Sequence, residues 1–497
     1  MSGLNAAGSA SNPCIIEQFD LISDRRDKPF NLAPFVAAID YYEDVFSPTI
    51  TMKVMILNES QNVTDQTEEE DENIDYEPSE SKTTDFKALY DGLPIRSGER
   101  CIIKVGANVE SNIQLDFSEN EQRQLFVSTV TNIVRDARRE LFTLHLTSRE
   151  AVINETSRVY KRFKPDQRID ASVKQILKDS LNVGEDYSDV DPTANSYGFV
   201  GNLRKPFATL VWLAKKSVTT LNGGKSAGFL FYQTKTGYKF KSVDTLMRQE
   251  TYKVTNDSGE KLKAPPFYYG EATQGFDSED RPVNADFKIL KFSIQQNNDI
   301  VKNLKLGTYS STGMYFNPYN FEFETLQYKR KDEIKKDNMS LMGSEDPTRY
   351  PLKLDPDTKT GSDDTIEDTA TRSLTGVLDI GVLARKDTNH LKKSNPLKFQ
   401  MQSVTRYNTL FTNVLDITIP LNSNLEAGMC IECEFPPMTT SPSIGDSIDS
   451  KQSGVYIIKE LCHHYDVEKS YTVMKVLKDF AGDNPDREQP NDNLILY

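Results

Sequence analysis

The chain has 497 residues, 37% hydrophobic and 27% charged, with 74 acidic against 59 basic residues and a net charge of −15. That length is beyond a single hydrophobic core and implies three or four domains. The acidic balance excludes general nucleic-acid binding, which needs a positive footprint, though not a local basic patch. Twenty-two Tyr and 25 Phe against one Trp suit β-rich packing. Five cysteines, odd in number and sparse, argue against a disulfide framework and fit a reducing cytoplasm.

The N-terminal arm, residues 1–13, is small and polar, without the basic and apolar regions of a signal peptide. No run of 18 apolar residues follows anywhere, so no membrane segment is expected. Residues 14–154 read as a first antiparallel β-barrel. In "SPTITMKVMIL" the side chains Ile50, Met52, Val54 and Ile56 fall on one side of a strand. An insertion over 58–88 interrupts this block. Its core, residues 65–80, holds nine acids and no base, too much like charge to bury, and is expected to stand off the barrel. Residues 122–154 predict two long strands about a polar turn at 136–140, with His145 inside the second strand as an ordinary strand residue.

Residues 155–245 predict a mixed helical and β-hairpin domain. Asp170 is a candidate N-cap for a helix with Val173, Ile176, Leu177 and Leu181 on one face, and Pro206 opens a second helix. A hairpin follows around "KTG" within 228–243. The "GGKS" at 223–226 lacks the first glycine of a phosphate loop and stands between helix and strand, the reverse of the required order. Residues 246–345 predict a mixed β domain with strands at 289–295 and 320–328. Residues 346–373 read as a polar linker that overlaps the polar stretch 331–370. A second β-barrel is expected over 374–483 and a polar tail over 484–497. The fold class is therefore mainly β with α+β inserts, built on two antiparallel barrels.

Soft ligands gather near the C-terminus in "MCIECEF" and "ELCHHYD". A zinc knuckle sets both thiolates of a C-x-x-C on one tight turn. Here alternation puts Cys430 and Cys433 on opposite faces of a strand. In 454–467 it sets Val455, Ile457, Lys459, Leu461 and His463 on one face, and Tyr456, Ile458, Glu460, Cys462 and His464 on the other. No metal site, cofactor site or catalytic set follows from these residues, from Cys14 and Cys101, or from His145 and His390. HExxH and DxDxG patterns are absent, so an assembly role is expected and not an enzyme.

The last hairpin, "GVYIIKELCHHYDVEKSYTVMKVLKDF", resembles the final hairpin of the central hub proteins of contractile, T4-like phage tails. Gly454, Tyr456, Ile458, His463 or His464, Tyr471, Leu477 and Asp479 match that pattern. "YYEDVFSPTITMKVMILNES" at 41–60 is similar to the family's first-barrel strand. Leu93, Pro94, Ile95, Gly98 and Glu99 match its "LPI-x-G-x-E" segment. "LHLTSREAVINETSRVYKRF" at 144–163 and "GFLFYQTKTGYKFKSVDTLM" at 228–247 also resemble it. The likeness covers 15–330 and 375–480 in scattered blocks. The acidic insertion and the stretch 331–370 are longer than the family's turns.

The resemblance implies a homotrimer whose subunits each carry two tube-type barrels. Such a ring adapts a sixfold tail tube to a threefold central spike. It implies as partners the spike, the tail tube or tube initiator and the baseplate wedge, with DNA passing unbound. The implied location is the virion tail baseplate, assembled in the host cytoplasm. The alternatives are a hub or spike-base part of a non-phage contractile injection system, and a tail-associated peptidoglycan hydrolase. Replacing residues 62–84 by a Gly-Ser turn is expected to leave thermal melting nearly unchanged, because loop closure grows slowly with length. A drop of more than about 10 °C would make the insertion structural.

Overall fold

The computed structural model describes residues 13–482 apart from 24–28, 60–62, 65–85, 88, 94, 108–113, 119, 137–138, 256–260, 270–284, 297–298, 319–320, 337–338, 344–367, 380, 383–395, 437–447, 450 and 467. The acidic run 65–80, the arm 1–12, most of the linker, His390 and the tail 484–497 thus lie outside the described residues.

The fold is mainly β, as read, with one large antiparallel sheet and helices in the inserts. The first half supplies β1 (Cys14–Ile22), β2 (Val36–Asp44), β3 (Thr51–Glu59), β4 (Arg100–Ala107), β5 (Leu125–Arg135) and β6 (Arg139–Ser148). An insert follows with α1 (Ile169–Leu181), α2 (Pro206–Ala214) and the hairpin β7 (Phe229–Thr234) and β8 (Gly237–Ser242). Then come β9 (Lys291–Gln296), β10 (Ser310–Asn317), β11 (Glu322–Lys329), β12 (Arg372–Val377) and α3 (Pro396–Leu410). The chain closes with β13 (Asn413–Pro420), β14 (Cys430–Glu434), β15 (Gly454–Asp466) and β16 (Tyr471–Lys478).

The two β-rich blocks are hydrogen-bonded into one ladder, β9-β13-β16-β15-β2-β3-β6-β5-β4-β1. β15 is the joint. One edge pairs with β16 from Ile457, opposite Leu477, to His464, opposite Tyr471. The other edge pairs first with β14, Cys430 opposite Ile457, and then with β2, from Glu460 opposite Asp44 to Asp466 opposite Ala38. A bulge interrupts the register between Ile458 and Glu460. At this point the Lys459 carbonyl accepts from Val45 N and its ammonium meets Asp44 at 2.9 Å.

The bulge corrects the alternation expected for 454–467, because an extra residue in one strand reverses the side-chain phase beyond it. Tyr456, Ile458, Leu461 and Tyr465 all join one core, while Val455 and Ile457 join another. His463 shares the Leu461 and Tyr465 side and is fully buried. The main core runs without a break from Phe19, Met52, Ile103 and Leu144 of the first half to Ile417, Ile431, Ile458 and Val476 of the second.

Several segments differ from expectation. β9, read as part of the mixed segment, pairs with β13 in the main sheet. β12, read as the opening of the second barrel, pairs in parallel with β10 in a separate three-stranded sheet. Residues 396–410, read as β, form α3. Its inward face carries Leu397 and Met401 but also Gln402, Thr405 and Arg406, all buried, so the apolar periodicity that signals a helix is diluted by polar residues with buried partners. α1 starts one residue before Asp170, with Arg168 at the cap. Asp170 instead accepts from the Thr193 hydroxyl at 2.8 Å. The buried face Val173, Ile176, Leu177 and Leu181 is as read, and so is Pro206 at the head of α2.

Leu461 lies at the seam between the halves and is completely buried. Leu461→Ala is expected to cost ~2–5 kcal/mol. Denaturation followed by far-UV circular dichroism is expected to show the sheet lost in a single transition in both proteins. Two resolved sheet transitions would mean that the halves fold independently.

Candidate functional site

The soft-ligand residues do not converge. Cys430 lies in the core with Val455, Ile457 and Leu477, whereas Cys433 lies in the main core with Ile431 and Ile458. Burial pushes the Cys433 and Cys101 thiols far above their ordinary range, and burial with Asp40 nearby pushes Cys462 up to about 12. These thiols stay protonated, and a protonated thiol is a poor nucleophile and metal ligand. His463 has both ring nitrogens engaged, Nδ1 with the Thr472 hydroxyl at 2.9 Å and Nε2 with the Leu425 carbonyl at 3.3 Å. Burial and the Lys235 charge lower its pKa to about 3, so the ring is neutral. It stacks on Tyr41 with centroids 6.1 Å apart. His464 faces the other side, where Nδ1 meets Asp40 at 2.6 Å. His145 Nε2 bonds the Thr131 hydroxyl within the β5–β6 pair. Among the described residues no group of three or more His, Cys, Asp or Glu is arranged for a metal ion.

The charged groups that do converge form a buried junction at the seam. Glu43, on the inward side of β2 beyond Ile39 and Tyr41, is 1% exposed. Its Oε1 accepts from the Tyr41 hydroxyl and from Lys235 N, each at 2.7 Å, and its Oε2 from Ala427 N at 2.8 Å. Lys235 and Thr236 form the tight turn of the β7–β8 hairpin. Gly237 closes that turn at φ +130, where a Cβ would stand 2.4 Å from the Tyr187 carbonyl oxygen, so only glycine fits. The Lys235 ammonium donates to the Ser423 and Leu425 carbonyls and stands 4.0 Å from Glu426. Thr236 donates to Glu426 at 2.7 Å. The junction therefore ties β2, the insert hairpin and the 421–428 loop into one network.

Two opposed effects act on Glu43. Three donated hydrogen bonds and the Lys235 charge favour its carboxylate, but burial and the neighbouring Glu426 outweigh them and raise its pKa to about 7. A second buried network lies behind it. Asp244 meets Arg406 of α3 at 3.3 Å and accepts from Ser226 at 2.6 Å and Ser340 N at 2.9 Å. The last residue of "GGKS" is thus a core hydrogen-bond donor. Asp479 of the final-hairpin pattern accepts from Met342 N and Phe480 N, with burial raising its pKa to about 6.

Sequence reasoning missed this junction. Lys235 sits in a turn, Glu426 in "NSNLEAG" and Glu43 in "YYED", and each reads alone as a surface charge. The one available signal was alternation in β2, which puts Glu43 in phase with Ile39 and Tyr41. As a chemical device, the network supplies orientation and cohesion. The neutral His463 and the protonated thiols offer no paired nucleophile and base.

No family model matches the chain, and no curated protein is similar to it. Among solved structures it is similar to a tail protein from Neisseria meningitidis, at 9% identity over 94% of this chain and 97% of that one, with a TM-score of 0.45. It is also similar to a 43 kDa tail protein of prophage MuSo2 from Shewanella oneidensis, at 9% identity over 94% and 100% of the two chains, with a TM-score of 0.46. A third is an Escherichia coli component of the type VI secretion system described as similar to T4 bacteriophage tail proteins, at 8% identity over 97% and 80%, with a TM-score of 0.37. Likeness at this level bears on no residue's role.

The pH dependence of the junction follows from its two perturbed groups. Glu43 has a folded pKa above its ordinary 4.5. The native state therefore keeps a proton that the unfolded chain releases, and this group's contribution to stability falls as pH rises from about 4.5 to about 7. His463 has a folded pKa below its ordinary 6.5, so its contribution is lost as pH falls below about 6.5. The two slopes oppose each other. Glu43→Gln removes the first, so its stability relative to the parent is expected to improve from pH 4.5 to 7, by on the order of 1–3 kcal/mol. Denaturant melts across that range test this, and parallel curves for the two proteins would refute it.

Proposed function

We propose that the chain is the structural hub of a contractile phage tail baseplate. In this reading three copies form a ring that joins the sixfold tail tube to the threefold central spike and leaves a passage for DNA. The observation that carries it is the seam. The hairpin β15–β16, whose residues resemble the family's final hairpin, is the element through which two β-rich halves of one subunit become a single ladder. Two such halves per subunit, taken three times, supply six tube-like units from three chains. The partners in this reading are the spike, the tube or tube initiator and the wedge.

The chemistry agrees with an adaptor that transmits force. The junction of Glu43, Lys235 and Glu426 locks insert to sheet, and breaking one member leaves a buried charge unmatched. A net charge of −15 lets DNA slide past without holding its phosphates. In this reading the chain needs no cofactor or metal and performs no covalent catalysis.

Analytical ultracentrifugation of the purified chain, alone and with its spike, together with reconstruction of the assembled tail, tests the reading. Three copies around the axis are expected in the tail. A ring of six whole subunits, or activity of the purified chain in a peptidoglycan zymogram, would overturn it.

A further inference from the structure

A basic surface lies on the insert. Residues 157–164 run antiparallel to 199–204, with Arg162 opposite Val200, Phe163 opposite Phe199, and Val159 bridging Arg204. Val159 and Phe163 point inward, and the Phe163 ring stacks on Phe199 with centroids 4.3 Å apart. Alternation then turns Arg158, Tyr160, Arg162 and Lys164 outward, and all four are exposed. Tyr160 is 70% exposed, and Leu203 on the neighbouring strand 67%.

The nearby acids are already engaged or lie at the edge. Glu155 pairs with Lys205, and Asp179 pairs with Lys161 at 2.6 Å. Arg158 donates to the Glu155 and Ser157 carbonyls, and its charge also bears on Glu155 at the edge of the ribbon. Asp166 ends the run and is exposed. The result is a stripe of cations interleaved with one aromatic and flanked by Val200 and Leu203, in a chain of net charge −15.

We infer that this ribbon is the docking surface for the chain's own acidic segment 65–80. Charge complementarity identifies the occupant, because that segment puts nine acids and no base opposite the stripe, with Ile74 and Tyr76 among them to meet Tyr160 and Leu203. Few phosphates would be matched by three outward cations, and the net charge repels nucleic acid at long range.

Register places the segment and the ribbon at opposite ends of the first half. The segment springs from the pair Val63–Thr64 and Phe86–Lys87, next to Tyr90, whose N–H bonds Glu140. The ribbon follows Ser148 at the far end of β6, past the helix Arg149–Thr156. β6 alone spans about 30 Å. Ile74 is ten residues from Thr64 and Tyr76 ten from Phe86, and ten residues extend at most about 36 Å. The segment is therefore long enough to span β6 toward the ribbon of its own chain.

The test uses the full chain with residues 62–84 replaced by a Gly-Ser turn, and a fluorescent synthetic peptide of residues 62–84. Fluorescence anisotropy is expected to show saturable binding at 50 mM salt that weakens at least tenfold by 300 mM. The double variant Arg162→Glu, Lys164→Glu is expected to lose at least tenfold affinity with its circular dichroism unchanged, and Tyr160→Ala a smaller part. Absence of binding at 50 mM salt, or equal binding by the double variant, overturns the inference. Tighter binding of a single-stranded oligonucleotide of equal charge would assign the ribbon to nucleic acid instead and overturns it as well. Peptide binding by a chain that never trimerises would refute the hub reading alone, and a trimer that ignores the peptide would refute this inference alone.

Discussion

The molecule depends on the pairing of one long strand with two partners along the same edge. Gly454–Asp466 gives its first residues to the strand Cys430–Glu434 and its last to Val36–Asp44, while its other edge stays with Tyr471–Lys478. Remove that sharing and the two halves become separate sheets with exposed edges, each a liability for stray pairing. The bulge at Lys459 makes the sharing possible, since it re-phases the strand as it passes from one partner to the next. Leu461, His463 and Tyr465 consequently enter the same core as Tyr456 and Ile458.

The seam is reinforced by charge as well as by apolar contact. Glu43, Lys235 and Glu426 come from three distant parts of the chain, and the desolvation that burying them costs is offset in part by bonds to Tyr41, Ala427, Ser423, Leu425 and Thr236. An apolar cluster there would hold the pieces together with less geometric selectivity. Carboxylate and ammonium accept only the arrangement that satisfies each donor. Thus the tip of the insert hairpin meets the sheet at one position, with Gly237 forced by the approach of the Tyr187 carbonyl.

The same physics accounts for the quiet chemistry of the cysteines and histidines. Cys101 and Cys433 are wholly buried, and desolvation holds their thiols protonated. His463 uses its two nitrogens to tie Thr472 to the 421–428 loop. Residues that would signal catalysis in an open cleft act here as packing and hydrogen-bonding groups. The exposed chemistry lies elsewhere, on the cationic ribbon of the insert.

Local patterns alone determined much of this protein. The alternation of Ile50, Met52, Val54 and Ile56, the two strands about residues 136–140, the apolar face of Ile169–Leu181 and the opposite faces of Cys430 and Cys433 were legible, because each depends on side-chain period within one segment. Four features were not. The bulge at Lys459 depends on which strands lie alongside, so period-2 reading ran straight through it. The helix Pro396–Leu410 buries Gln402 and Arg406 against Ala227 N and Asp244, partners about 160 to 175 residues away, so its inward face looked polar. Lys291–Gln296 was legible as a strand, but only its partner Asn413–Pro420 decided its sheet. The Glu43 junction required three distant charges to meet. Propensity and periodicity act over a few residues, whereas register, partner choice and the matching of buried charge are fixed only when the chain closes on itself.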